Sequence, residues 1–278
     1  MTSDLLALLA KVNLVFAAAV VLVLLLRRPV RAAFGARSAY ALWLIAPLSL
    51  LALLIPARTV VQPLEPMRSI AVVQAPAWTT PSAETSIETA GGGSPPPRLP
   101  VGEILLGFWL CVALGGLIVQ AERQRRFVRS LGKLSPSGGV LWSDRAGVSP
   151  AVIGALAPRM VLPADFTQRF TAQEQALILA HEKNHLAVGD AQINAVVTSL
   201  QCLFWFNPFV HLCAAVLRVD QEIACDAAVL ARHPRTRRAY GEAMLKTQLA
   251  PCAPPLGCHW PASANKQLKE RCALLAHH

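Results

Sequence analysis

Apolar residues fall into four long blocks along this chain, and the polar residues between them are sorted by type. Residues 5–26 form the first block, interrupted only by Lys11 and Asn13. At 1.5 Å per residue it is long enough to cross a hydrocarbon core of about 30 Å. Residues 39–55 and 101–119 form two more blocks, and each is read as a membrane-spanning helix. The fourth block, 195–217, differs. As one straight helix it would reach about 35 Å and carry the chain across the membrane. Asn207-Pro208 lies in its middle, however, where a helix breaks. The pattern therefore predicts a helical hairpin over 194–219, its two short arms dipping into the membrane and returning with Asn207-Pro208 at the tip. Between residues 130 and 170 the pattern changes to short apolar runs punctuated by Gly and Pro. This predicts strands at 139–143, 151–154 and 159–163. Thr171 followed by Glu174 is a capping box, so a helix is expected to begin near Ala172 and to run unbroken to Gly189.

The charged residues orient these elements. Arg27, Arg28, Arg31 and Arg37 crowd the loop after the first span, and Arg123, Arg125, Arg126 and Arg129 follow the third. Positive loops face the cytoplasm, so both clusters put the N-terminus outside. The first block lacks a basic leader and an A-x-A cleavage site, which makes it a retained span. The organisation expected is two transmembrane helices and an Arg-rich loop over 1–56, and a disordered external linker over 57–98. A third transmembrane helix over 99–120 and a cytoplasmic domain over 121–278 complete it. The linker reading rests on Pro, Ser, Thr and Gly, including the run from Gly91 to Pro97. No apolar run after residue 226 is long enough to span, so the C-terminus is placed in the cytoplasm.

Composition agrees. The chain is 54% hydrophobic and 15% charged, against about 25% charged in soluble domains. Its net charge of +10 comes mainly from Arg beside apolar spans. That placement points to topology and contact with anionic membrane lipid, not to nucleic acid. Seven Cys occur with no C-x-x-C, and none lies in the external linker, as expected of reduced cytosolic thiols. Cys252, Cys258 and His259 form only a weak metal pattern, and Ser263-x-x-Lys266 is a chance match to a nucleophile motif.

The chemistry is carried by His181-Glu182-Lys183-Asn184-His185. Residues four apart share a helix face, so His181 and His185 can hold one Zn²⁺ per chain. Glu182 then stands where a carboxylate can act as general base toward water. A catalytic zinc takes a third protein ligand, and Glu222 in Asp220-Gln-Glu-Ile-Ala-Cys-Asp226 is the first candidate, with Asp190 an alternative. The hairpin is what returns Glu222 to the two histidines. Asp226, one turn beyond Glu222, is placed behind a zinc-bound His as a hydrogen-bond acceptor. His211 is read as a packed histidine, and Arg218 as a marker of the cytoplasmic interface. Tyr240 and Arg218 are the candidates for stabilising an oxyanion. The run 151–163 is expected to offer a strand edge for an extended substrate.

The order of SPAVIGALAPRMVLPADF, AHEKNH, FWFNPFVHL, DQEIACDAAVL and LKERCALL resembles the BlaR/MecR-type membrane zinc metallopeptidases, bacterial antirepressor proteases. The resemblance implies a mainly α integral membrane protein of the bacterial inner membrane. It would have three transmembrane helices, a cytoplasmic α+β gluzincin-like protease domain and a re-entrant hairpin. It implies His181, His185 and Glu222 as zinc ligands, Glu182 as base, and Asp226 as the aspartate of the E-x-x-x-D pattern. It also implies a protein substrate such as a transcriptional repressor as partner; membrane lipid is expected from the Arg clusters, and a homodimer is a further candidate partnership. The penicillin-binding domain of sensor-type members has no counterpart in these residues. The rival reading is a non-catalytic signalling or scaffold protein that keeps the fold.

Overall fold

The first helix outruns the apolar block that starts it. In the computed structural model, which describes residues 2–53, 55, 101–248, 258–259 and 271, α1 runs Thr2–Phe34. It carries Arg27, Arg28 and Arg31 as helix and continues through Pro29. The Arg-rich loop expected there shrinks to a turn at Gly35, whose φ of +86° suits a residue without Cβ. The cause is tertiary, because Arg27 and Arg31 reach Asp220, at 3.0 and 3.9 Å. The second apolar block is broken into α2 (Ala36–Ala41), a 3-10 turn (Leu42–Leu44) and α3 (Ile45–Ala52). Among the described residues two helices are long and apolar enough to cross a membrane, α1 and α4 (Val101–Ser130). The expected span at 39–55 is a shorter apolar helix, Ala36–Ala52. The linker expected over 57–98 and the tail helix expected near 264–276 lie outside the described residues, Arg271 excepted.

After α4 the chain forms β1 (Leu134–Ser137), β2 (Val140–Ser143), β3 (Ala151–Ile153) and β4 (Arg159–Leu162). A fifth strand, β5 (Cys258–His259), comes from the tail. The sheet order is β1-β2-β4-β3-β5, with β2 and β4 parallel and the other pairs antiparallel. This corrects the substrate-edge expectation. β3 is flanked by β4 on one side and on the other by β5, which pairs His259 with Ala151 and Cys258 with Val152. A two-residue strand with no alternating pattern gives no signal in the sequence.

Five helices follow among the described residues: α5 (Phe166–Arg169), α6 (Ala172–Val188), α7 (Asp190–Leu203), α8 (Pro208–Arg232) and α9 (Arg237–Gln248). α6 begins with the full capping box, Thr171 Oγ1 accepting from the Glu174 amide and Glu174 Oε2 from the Thr171 amide. It ends at Gly189, whose left-handed φ of +82° turns the chain directly into α7. Lys246 on α9 ties itself to Glu174 at 2.7 Å. Thr171→Ala is expected to cost about 1 kcal/mol, read as a lower Tm in detergent, because it orphans a donor at the start of the motif helix. α6 is packed on both sides. Ile178 joins Met160, Leu162, Phe166 and Ala243, whereas Leu177 joins Cys225, Val229, Tyr240 and Met244.

α7 and α8 pack against each other and are joined by a tight link in which Asn207 caps α8 and Pro208 is its first residue. Both long apolar helices hold this link. Asn207 donates to Asn13 of α1 at 2.9 Å, and Trp109 of α4 donates to the Leu203 carbonyl at 2.8 Å. Gly116 of α4 lets Cys202 of α7 approach so closely that an added Cβ would meet its sulfur at 3.2 Å. His211, expected to be packed, is exposed and joins the arms through Gln201 and the Trp205 carbonyl.

Candidate metal centre

The site lies where α6, α8 and α9 meet. α6 is buried at every position the motif uses: His181, Glu182 and His185 are 0 to 1% exposed. The two imidazoles turn the same edge inward, and their Nε2 atoms stand 3.0 Å apart. Glu222, brought back by α8, faces both, Oε2 at 3.5 Å from His181 Nε2 and Oε1 at 3.6 Å from His185 Nε2. The outer edges are engaged elsewhere. His185 Nδ1 lies 2.6 Å from Asp190 Oδ2, and His181 Nδ1 lies 2.8 Å from the Tyr240 hydroxyl. That hydroxyl donates to Asp226 Oδ1 at 2.7 Å, so it accepts from His181. Each Nδ1 therefore carries the hydrogen, and each Nε2 lone pair points inward.

These groups fit a small cation. Two lone pairs and a carboxylate converge at 3.0 to 3.6 Å, close to the roughly 3.3 Å ligand separation around a tetrahedral Zn²⁺ with bonds near 2.0 Å. Electrostatics agrees. Burial pushes His181 toward its neutral form, yet the Cys225 sulfur and Glu222 outweigh it and hold the imidazole at about 10. The pocket thus favours positive charge. Burial opposes ionisation of Glu222, but Arg271 and the two histidines hold its carboxyl well below the usual range. Burial raises Glu182, partly offset by the two histidines. Both Glu182 oxygens are buried without a hydrogen-bond partner among the described residues, an arrangement that costs free energy unless a ligand or water meets them.

His181, His185 and Cys225 form a group whose donor atoms lie within 4.8 Å of one another. The Cys225 sulfur sits 3.3 Å from His181 Nδ1, on the side where the Tyr240 hydroxyl also sits. Glu222 instead faces the inward Nε2 atoms, so the two sets share both imidazoles and differ in the third group.

Three placements depart from expectation. Asp190, the alternative ligand, stands behind His185. Asp226 does not bind a histidine directly, since Tyr240 intervenes and the direct separation from His181 is 3.6 Å. Tyr240 is committed to this back-side network and does not face the inward edge. The cation on Glu222 and Asp226 is Arg271, which grips both Asp226 oxygens at 2.7 Å and lies 3.0 Å from Glu222 Oε2. Arg271 was legible only as part of LKERCALL, with no local sign of a role. Asp220 escaped notice too. It is 2% exposed and accepts from Trp43 Nε1 at 2.9 Å while pairing with Arg27. Tyr40 of α2 donates to Asp190 Oδ1 at 2.5 Å and accepts from Gln221 at 3.2 Å. A two-bond path thus runs from α2 through Asp190 to His185. Asp190→Ala is expected to weaken metal binding 10- to 100-fold, and Tyr40→Phe to weaken it less but in the same direction, both read by chelator competition.

A family model described as BlaR1 peptidase M56 matches residues 7–275. The chain belongs to the M56 peptidase family. Among curated relatives, the regulatory protein BlaR1 of Bacillus licheniformis is 35% identical over 99 residues, covering 35% of this chain and 16% of the relative. The methicillin resistance mecR1 protein of Staphylococcus aureus is 31% identical over 104 residues, covering 36% of this chain and 17% of the relative. The chain thus aligns with about a sixth of the length of these M56 relatives. The chain therefore combines two helices long and apolar enough to cross a membrane, among its described residues, with membership of a peptidase family whose curated relatives include regulatory proteins.

Proposed function

We propose that this M56 protein is an integral-membrane zinc endopeptidase that cleaves a cytoplasmic regulator. The carrying observation is the convergence of two Nε2 atoms and the Glu222 carboxylate next to a buried, unpartnered Glu182. His181, His185 and Glu222 hold the ion. Bound there, Zn²⁺ supplies Lewis-acid activation of water, lowering its pKa to about 7. Glu182 accepts the proton from water and returns it to the leaving amine, a role its raised pKa suits. Asp190 and Tyr240 fix the two imidazole rings in the tautomer that turns Nε2 inward. Arg271 holds Glu222 and Asp226 in place.

The topology proposed is three crossings, with the Ala36–Ala52 helix as the second, and a re-entrant α7–α8 hairpin. Asn13 supports the depth of the tip. It lies 14 residues before Arg27 on the same helix, about 21 Å above the basic cluster, and it holds Asn207. The repressor-type substrate rests on the kinship alone. The test is metal content and proteolysis on detergent-purified protein: one zinc per chain, with chelator-sensitive cleavage of an unfolded protein that returns on adding zinc. No zinc after reconstitution would leave the rival reading, a signalling protein that keeps the fold without the chemistry.

A further inference from the structure

A cavity of about 590 Å³ opens between the Ala36–Ala52 helix, α7 and α8. That volume is in the range of ligand pockets. His181, Glu182, His185 and Glu222 do not line it, whereas Cys225 and Asn184 do, so it lies beside the metal centre and shares a wall with it. Its walls share one polarity. Along α7 the lining runs from Asp190 and Gln192 to Ile193, Val197 and Leu200. Along the second helix it runs from Arg37 and Tyr40 to Trp43, Ala46 and Pro47. α8 passes the other way, from Val210, Cys213 and Leu217 to Gln221, and continues past it to Ala224, Cys225 and Ala228. The hydrogen bonds of Tyr40 with Asp190 and Gln221 hold one polar group from each of the three helices at one level.

We propose that this cavity binds one acyl chain of an anionic membrane phospholipid, with its phosphate on Arg37. The ten helical rises of α7 from Asp190 to Leu200 give the slot a depth of about 15 Å. That is half of a hydrocarbon core of about 30 Å, the reach of one acyl chain in one leaflet. The slot has a polar mouth and an apolar end, as such a ligand does. Arg37 is exposed at the mouth, whereas Arg27 and Arg31 are directed to Asp220. One basic residue near a membrane surface favours an anionic headgroup about fivefold. The polar mouth includes Asp190, which holds His185, so an occupant touches a group that orients the metal centre.

The test uses the full chain in nanodiscs with a diazirine-tailed phosphatidylglycerol or phosphatidylcholine, and maps labelled residues by mass spectrometry. Val210, Cys213 and Leu217 are buried from bulk lipid, at 1, 4 and 3% exposure, whereas Leu105 and Ile118 of α4 are open to it. Labelling of the buried three in wild type is expected, with at least a tenfold loss in Val197→Trp or Leu200→Trp while the α4 labels persist. Persistent α4 labelling reports an intact fold. Arg37→Gln is expected to lower labelling of the slot by phosphatidylglycerol about fivefold and to leave that by phosphatidylcholine unchanged. Labels confined to exposed faces, as a peptide occupant would leave them, would overturn the proposal. Labelling in the slot that ignores the Trp variants or the headgroup charge would do the same. The readout needs neither zinc nor cleavage, so it stands or falls apart from the peptidase reading.

Discussion

Glu182→Ala is expected to abolish detectable proteolysis while leaving one zinc per chain. A general base contributes about 10²- to 10⁴-fold, and no other described carboxylate is positioned to replace it. Glu222 faces the histidines from the ligand position and shares its Oε2 with Arg271, and Asp226 is gripped by Arg271 and Tyr240. Glu182 is buried, carries no hydrogen bond among the described residues, and is held above the ordinary carboxylate range by that burial. Removing it takes no ligand from His181 or His185, so metal content and cleavage should separate cleanly. The measurement is elemental analysis beside a timed digest of an unfolded protein. Full activity in the variant would remove Glu182 from the chemistry, and loss of zinc along with activity would recast it as part of the metal's support. Glu182→Gln, nearly equal in size, guards against a packing effect at this buried position.

The second large effect is expected at Glu222. Zinc binding in small structural sites is worth about 10–16 kcal/mol in all, roughly 3–4 kcal/mol for each protein ligand, so Glu222→Ala should weaken zinc 10²- to 10³-fold. Cys225→Ser should leave affinity within a few-fold, because its sulfur faces His181 Nδ1 and not the inward edge. Chelator competition on both variants decides between the two candidate sets. Loss of zinc in Cys225→Ser with retention in Glu222→Ala would assign the third position to the thiol. Glu222→Ala also takes one described carboxylate partner from Arg271, so the variant's melting temperature in the metal-free state must be measured beside its affinity.

How far the site could be read in advance follows from distance along the chain. His181, Glu182 and His185 are related by helix geometry alone, so their spacing is enough to place them on one face. The capping box and Gly189 are local as well, and α6 begins and ends where they put it. Glu222 needed one further step, the break at Asn207-Pro208, which is again a local property of the backbone. The support behind the histidines had no such signal. Tyr40 reaches Asp190 across 150 positions, Trp43 reaches Asp220 across 177, and Arg271 reaches Asp226 across 45.

By itself, then, the amino-acid order determined the apolar blocks, the membrane character, the motif helix and the broken helix that follows it. These depend on periodicity, capping and the missing amide of proline, all set within a few residues. Tertiary structure alone decided the rest. It turned the Arg-rich loop into helix by offering Asp220 as a partner, covered β3 with a strand from the tail, and moved Asp190 from candidate ligand to the back of His185. Each is a choice among partners far apart in the chain, made by burial: a charge or an edge removed from water must be met by whichever group the packing brings beside it.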